Sequence, residues 1–137
     1  MDEKILNKYT TWLDKATEDT DLTKELKSIE GNEAEIYERF YRELEFGTGG
    51  LRGIIGAGDN RMNIYTVRKA TQGLADYLKS RYKSAAVAIS FDSRIKSDVF
   101  AREAARVLAG NGIKVHIFSS LQPTPVLSYA VRQLGCE

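Results

Sequence analysis

Apolar residues recur along the first third of the chain with the period of a helix. Ile5, Leu6, Tyr9, Trp12, Leu13 and Ala16 share one helical face and predict a first helix. Leu22–Ile29 predicts a shorter second helix, broken at Gly31. Asn32 then stands as an N-cap, with Glu35 three residues on as its capping-box partner. Ile36, Tyr37, Phe40, Tyr41 and Leu44 mark the apolar face of a third helix. The aromatic stripe of the first helix reads as packing rather than a binding box. The charges between the apolar positions read as a solvated side that needs no partner.

From Leu51 the pattern alternates between strand and helix. Leu51–Ile55 predicts a strand, and Gly56-Ala57-Gly58-Asp59-Asn60 a turn-rich connection. Val67, Ala70, Leu74, Tyr77 and Leu78 predict a long helix over about 66–82. Ala86–Phe91 is a continuous apolar run, as in a strand buried on both faces. Phe100, Ala104, Val107 and Leu108 mark another helix, capped by Ser97 or Asp98 and ended near Asn111-Gly112. A strand is predicted over 114–118. Thr124 can cap a last helix that begins at Pro125, carries Val126, Leu127, Ala130, Val131 and Leu134, and stops at Gly135.

The order β-α-β-α-β-α behind a helical N-terminus predicts an α/β fold. The expectation is a three-layer α/β/α domain with a mostly parallel, mixed sheet, preceded by N-terminal helices. Residues 1–45 are expected to form a helical segment packed on the domain, and residues 46–137 the α/β/α domain itself. The last predicted helix ends two residues before the final Glu137, where an alternating fold begins another strand. A piece of a longer protein is therefore expected.

Composition narrows the partners. A net charge of +1 gives no reason to expect nucleic acid or an anionic membrane as the main partner. No apolar run approaches the ~20 residues of a membrane span. The start, Met1-Asp2-Glu3-Lys4, lacks a signal peptide's basic and apolar regions. The single cysteine, Cys136, excludes an internal disulfide and fits a reducing, cytoplasmic setting. His116, the only histidine, lies mid-strand between Val115 and Ile117 without a polar companion, and reads as structural. No pair of His, Cys or carboxylates has metal-ligand spacing.

Chemistry concentrates in Phe46-Gly47-Thr48-Gly49-Gly50-Leu51-Arg52-Gly53. Three of the four residues 47–50 are glycine. Such a run lets the backbone approach a ligand closely and expose successive N–H groups to an anion. Thr48 adds a hydroxyl, and Arg52 a permanently charged fork shaped for phosphate. The same spacing also serves a tight turn entering a strand, with Arg52 on the surface. The dinucleotide fingerprint is excluded, because the sixth residue from Gly47 is Arg52 rather than glycine and no helical period follows at once. A Walker A loop is excluded because Gly-Lys-Ser/Thr does not occur. Asp92-Ser93-Arg94 and Gln122-Pro123-Thr124-Pro125 follow successive strands, where open α/β sheets bind their ligands. Asp92 and Arg94 read first as a local ion pair shaping that rim, and the Pro-Thr-Pro segment as a rigid loop.

Taken with Asp59-Asn60-Arg61-Met62-Asn63 and Tyr65–Gly73, these segments resemble the N-terminal part of the α-D-phosphohexomutase family, on its bacterial phosphoglucomutase branch. The resemblance runs from about residue 33 to the end, with the segments in order. It implies an enzyme that interconverts glucose 1-phosphate and glucose 6-phosphate through a phosphoserine and a sugar bisphosphate. Its cofactors would be Mg²⁺ and glucose 1,6-bisphosphate. It implies that Thr48 and Arg52 lie beside the phosphoserine, with Gly49, Gly50 and Arg52 binding phosphate, while Asp92 and Arg94 shape the rim. The family's Thr-Ala-Ser-His-Asn-Pro and Asp-Gly-Asp-Gly-Asp-Arg segments do not occur in these 137 residues. The chain alone is therefore expected to be inactive, to bind no cofactor, and to require C-terminal domains of the same protein to meet its sugar phosphate. The alternative is a self-contained α/β module that binds a phospholigand or a partner without catalysis.

Overall fold

Three helices open the chain where the apolar period places them: α1 (Glu3–Lys15), α2 (Thr20–Ser28) and α3 (Glu33–Phe40). The structure, a computed structural model, describes residues 2–44, 46–47, 50–51, 53–89 and 96–117, with 46, 47, 50 and 51 described by their backbone. Each helix starts at a short polar side chain. Asp2 accepts the N–H of Lys4 at 2.9 Å, Asp19 that of Asp21 at 3.0 Å, and Asn32 that of Glu35 at 3.2 Å. Such a cap contributes about 1 kcal/mol. The box expected at Asn32 is half formed. The Asn32 N–H donates to the Ile29 carbonyl at 2.9 Å, and the Glu35 carboxylate accepts from Arg39 Nε at 3.1 Å instead.

Contacts divide the chain into two compact units, Met1–Thr66 and Val67–Glu137. The core of the first unit is built on Phe40 and Leu26, both fully buried, with Ile5, Tyr9, Leu22 and Ile36 around them. Tyr9 and Trp12 meet Phe40 edge-on at 6.1 and 5.8 Å between centroids, and Trp12 meets Tyr65 at 5.3 Å. The stripe on α1 is thus packing, as its spacing predicts. Tyr37 and Tyr41 depart from the predicted face. Only Ile36 and Phe40 of this short helix turn inward, and the two exposed tyrosines stack on each other at 5.3 Å.

After α3 the chain forms an antiparallel hairpin, β1 (Phe46–Gly47) with β2 (Gly50–Leu51), in the register Phe46↔Leu51 and Gly47↔Gly50. The strand predicted over 51–55 is corrected: β2 stops at Leu51, and Ile54 and Ile55 are exposed. The reason is that residues 54–56 fold back on Met62 rather than continue a sheet. Met62 N–H donates to Ile54 O at 2.8 Å, and Gly56 N–H donates to Met62 O at 3.1 Å.

Helix α4 (Ile64–Arg81) starts two residues before the predicted boundary. Asn63 Oδ1 accepts the N–H groups of Tyr65 and Thr66 at 3.0 Å each, and Thr66 Oγ1 accepts the N–H of Asn63 at 3.0 Å. This reciprocal cap has threonine where the usual box has Glu or Gln.

In the second unit, β3 (Ala86–Ile89), α5 (Ser97–Gly110) and β4 (Lys114–Ile117) form a crossover that pairs the strands in parallel, Ala86↔Lys114 through Ile89↔Ile117. Ala75 and Leu78 of α4, Leu108 of α5, Ala85 and Ile113 form the core, packed by Val87, Ile89 and Val115. These strand residues share one parity and so one face. The expectation that the run from Ala86 is buried on both faces is not met: each residue of β3 is half-buried. His116 is half-buried opposite Ala88. Neither Ser97 nor Asp98 caps α5. The N-cap is Lys96, with φ 62°, which sets both predicted caps inside the first turn. There Asp98 complements the helix dipole. The helix ends as predicted at Asn111-Gly112. Gly112 N–H bonds Ala109 O at 3.0 Å and Ile113 N–H bonds Leu108 O at 3.1 Å, the paired bonds of a Schellman turn. The predicted strand ends at 90–91 and at 118, and the helix from Pro125, lie outside the described residues. No helix among the described residues is long and apolar enough to cross a membrane.

Two glycines provide opposite tests. Gly58 has φ +127°, and a Cβ there would lie 2.8 Å from both Cβ and O of Arg39. Gly58→Ala is expected to destabilise the first unit by about 2–4 kcal/mol. Gly73 lies within α4 with nothing within 4 Å of an added Cβ. Gly73→Ala is expected to stabilise by roughly 0.5–1 kcal/mol. Urea denaturation of the two variants checks both signs.

Candidate functional site

The hairpin carries the glycine run, and the structure places part of it. Gly50 pairs with Gly47 as the last pair of the ladder. Thr48, Gly49 and Arg52 lie outside the described residues, as do Asp92 and Arg94. What the structure provides is the frame on which the run is mounted.

Both stems of the hairpin rest on residues 59–62. Upstream, Leu44 N–H donates to Asp59 O at 3.1 Å; downstream, Ile54 O accepts from Met62 N–H at 2.8 Å. Gly53 lies so close to Leu44 that a Cβ would come within 2.7 Å of its Cδ2. Segment 59–62 is in turn bonded to the helices. Asp59 Oδ1 accepts from Trp12 Nε1 at 3.1 Å, and Asp59 Oδ2 lies 3.8 Å from Lys8 Nζ. Asn60 donates its N–H to Arg39 O at 2.9 Å and its Nδ2–H to Glu38 O at 3.1 Å. Arg61, buried, pairs with the Glu38 carboxylate and donates to Asn60 O at 3.1 Å. Asn63, also buried, donates to Gly56 O at 2.8 Å and Gly58 O at 3.0 Å.

The helix charges read as solvated are therefore corrected in part. The Arg39 side chain is largely buried and meets Glu25, Glu35 and the Ala57 carbonyl, while Glu25 accepts the Ala57 N–H at 3.2 Å. Burial opposes the charge of Arg39, but hydrogen bonds to Glu25 and Glu35 outweigh it and raise its pKa. Arg61 holds the Glu38 carboxyl below the ordinary carboxylate range, chiefly through their hydrogen bond. Burial, with a smaller contribution from Glu30, raises the pKa of Tyr9, whose hydroxyl donates to Leu26 O at 2.7 Å.

In the second unit, β3 and β4 end side by side at Ile89↔Ile117. Arg68, within the Tyr65–Gly73 segment, pairs with buried Glu103 at 2.8 Å, and Arg106 reaches the same carboxylate at 3.2 Å. Among the described residues, no three His, Cys, Asp or Glu side chains come together to hold a metal ion.

A glycine hairpin followed by a parallel β-α-β unit is consistent with an α/β/α domain. A family model described as phosphoglucomutase/phosphomannomutase, alpha/beta/alpha domain I, matches residues 43–137. The chain belongs to this family. The phosphoglucomutase of Staphylococcus saprophyticus is 48% identical over 91 residues, 66% of this chain and 16% of the relative. The phosphoglucomutase of Staphylococcus aureus (strain COL) is 40% identical over 104 residues, 76% of this chain and 19% of the relative. The human phosphopentomutase is 40% identical over 114 residues, 77% of this chain and 19% of the relative. The chain thus spans about a sixth to a fifth of the length of these relatives. No solved structure gives a significant match.

The Glu38–Arg61 pair gives stability a pH dependence. Because the folded-state pKa of Glu38 is lowered, its contribution is complete above the unfolded value of about 4.3 and is lost as pH falls through the folded value. Glu38→Gln is expected to melt below wild type at pH 7, with the gap closing as pH falls below about 4. Thermal melts from pH 7 to pH 3 check this; a constant gap would contradict it.

Proposed function

We propose that this chain is the N-terminal part of a phosphoglucomutase, contributing a phosphate-facing glycine hairpin to the interconversion of glucose 1-phosphate and glucose 6-phosphate. Residues 46–137 form its first α/β/α domain, and residues 1–45 are the helical segment that precedes it. The observation that carries this reading is the match of domain I to residues 43–137, with the Gly47–Arg52 run at its start. The partners are the sugar phosphate and the C-terminal domains of the same protein. The setting is cytoplasmic.

The roles of the residues follow from their chemistry. The backbone N–H groups around Gly49 and Gly50 cradle phosphate oxygens. The guanidinium of Arg52 neutralises charge that develops as the phosphoryl group moves, and Thr48 supports the loop. Asp92 and Arg94 have a structural part, shaping the rim of the phosphate site. The phosphoserine donor belongs to a segment not contained in this sequence. The described residues do not fit the magnesium that the resemblance implies, and no step of this reading runs through it. Glucose 1,6-bisphosphate would prime the donor in the whole enzyme.

Two measurements test the reading. The 137-residue chain, incubated with labelled glucose 1,6-bisphosphate, is expected to gain no phosphoryl group by mass; a stable adduct on any serine or threonine would contradict this. In the whole enzyme, Arg52→Ala is expected to lower kcat by about 10²–10³ with a smaller change in KM. Arg52→Lys should recover only part, because an ammonium lacks the bidentate fork. Wild-type kcat in Arg52→Ala, or turnover of a pentose phosphate in preference to glucose 1-phosphate, would overturn the reading.

A further inference from the structure

The helices that precede the matched domain are bonded to the hairpin through a short chain of contacts. The family match begins at residue 43, and α1, α2 and α3 all lie before it. Yet the segment on which both hairpin stems rest, Asp59–Met62, is bonded mainly to those helices. Leu44 bonds Asp59, Ile54 bonds Met62, and Arg61 between them pairs with Glu38 of α3. Ile54 is two residues from Arg52, and Leu44 is two residues from the start of β1. The Arg61 side chain is 8% exposed, and its second contact, to Asn60 O at 3.1 Å, stiffens the same segment. Asn60 adds two more bonds to the last turn of α3. Arg61 and Glu38 are thus bonded into the one segment on which both stems of the hairpin rest.

We propose that Arg61 and Glu38 are positioning residues for phosphoryl transfer, setting the placement of the glycine hairpin and Arg52 from the helical segment that precedes the domain. The proposal rests on the phosphoglucomutase reading above. Electrostatic stabilisation of a moving phosphoryl group depends on fractions of an ångström, so loosening the frame lowers turnover more than ground-state binding. A residue that serves folding alone would lower the melting temperature and leave turnover per folded molecule unchanged.

The test is a double-mutant cycle in the whole enzyme, combining Glu38→Gln or Arg61→Lys with Arg52→Ala. Glu38 is half exposed, so Glu38→Gln remains informative where Arg61→Lys fails to fold. Each single variant is expected to lower kcat about tenfold, with KM changed less than twofold, and to add no further loss on the Arg52→Ala background. Wild-type kcat in folded Glu38→Gln, alongside a large loss in Arg52→Ala, would overturn this inference alone. Losses that multiply fully in the double variant would also overturn it. Wild-type kcat in Arg52→Ala would overturn the underlying reading, and this inference with it.

Discussion

The irregular backbone between Gly53 and Asn63 brings peptide groups into the interior of the first unit, where each must find a partner. Regular structure cannot supply those partners, because the segment contains neither helix nor extended strand. Isolated backbone bonds such as Met62 N–H to Ile54 O supply some of them, and side chains supply the rest. Asn63 takes the carbonyls of Gly56 and Gly58, Arg39 takes that of Ala57, and Glu25 takes the Ala57 N–H. The position of Asn63 also fixes the first turn of α4. One buried amide thereby joins a loop to a helix start, and the hairpin is mounted on the result.

This arrangement gives a physical meaning to a segment that the sequence marks only by resemblance. In the structure Asp59-Asn60-Arg61-Met62-Asn63 is bonded to the helices and to the hairpin stems. Its polar residues face inward and act as fasteners: Asn60, Arg61 and Asn63 are all buried and all bonded. Arg68 with Glu103 repeats the theme in the second unit, where a buried carboxylate is held by two guanidinium groups. Removing one partner from such a pair costs far more than the pair itself contributes, since the other charge is left desolvated.

Much of the fold was legible from periodicity and local chemistry. The three N-terminal helices, the Asn32 cap, the long α4, the β-α-β crossover and the Asn111-Gly112 terminus all follow from patterns spanning a few residues. What was not legible depends on partners distant along the chain. Nothing near Glu25 or Arg39 signals that they meet each other and Ala57, 18 and 32 residues away. The short β2 was misread as part of a longer strand because Ile54 and Ile55 are β-formers, although they are exposed. The start of α4 was missed because threonine replaces the glutamate of the usual box. The sequence marks the Gly47–Arg52 run as a candidate phosphate site by its residue types, while the supports of that hairpin were not legible, since charged helix residues ordinarily face water.

Trp12 is the chain's single tryptophan. Its indole lies edge-on to Phe40 and Tyr65, and its N–H bonds the carboxylate of Asp59. Tryptophan fluorescence therefore originates from a single place, beside the segment that supports both hairpin stems. Emission excited at the red edge reports the hydration of that place without contribution from the second unit. The chain thus carries its own optical reporter for the integrity of the hairpin frame, with no label added.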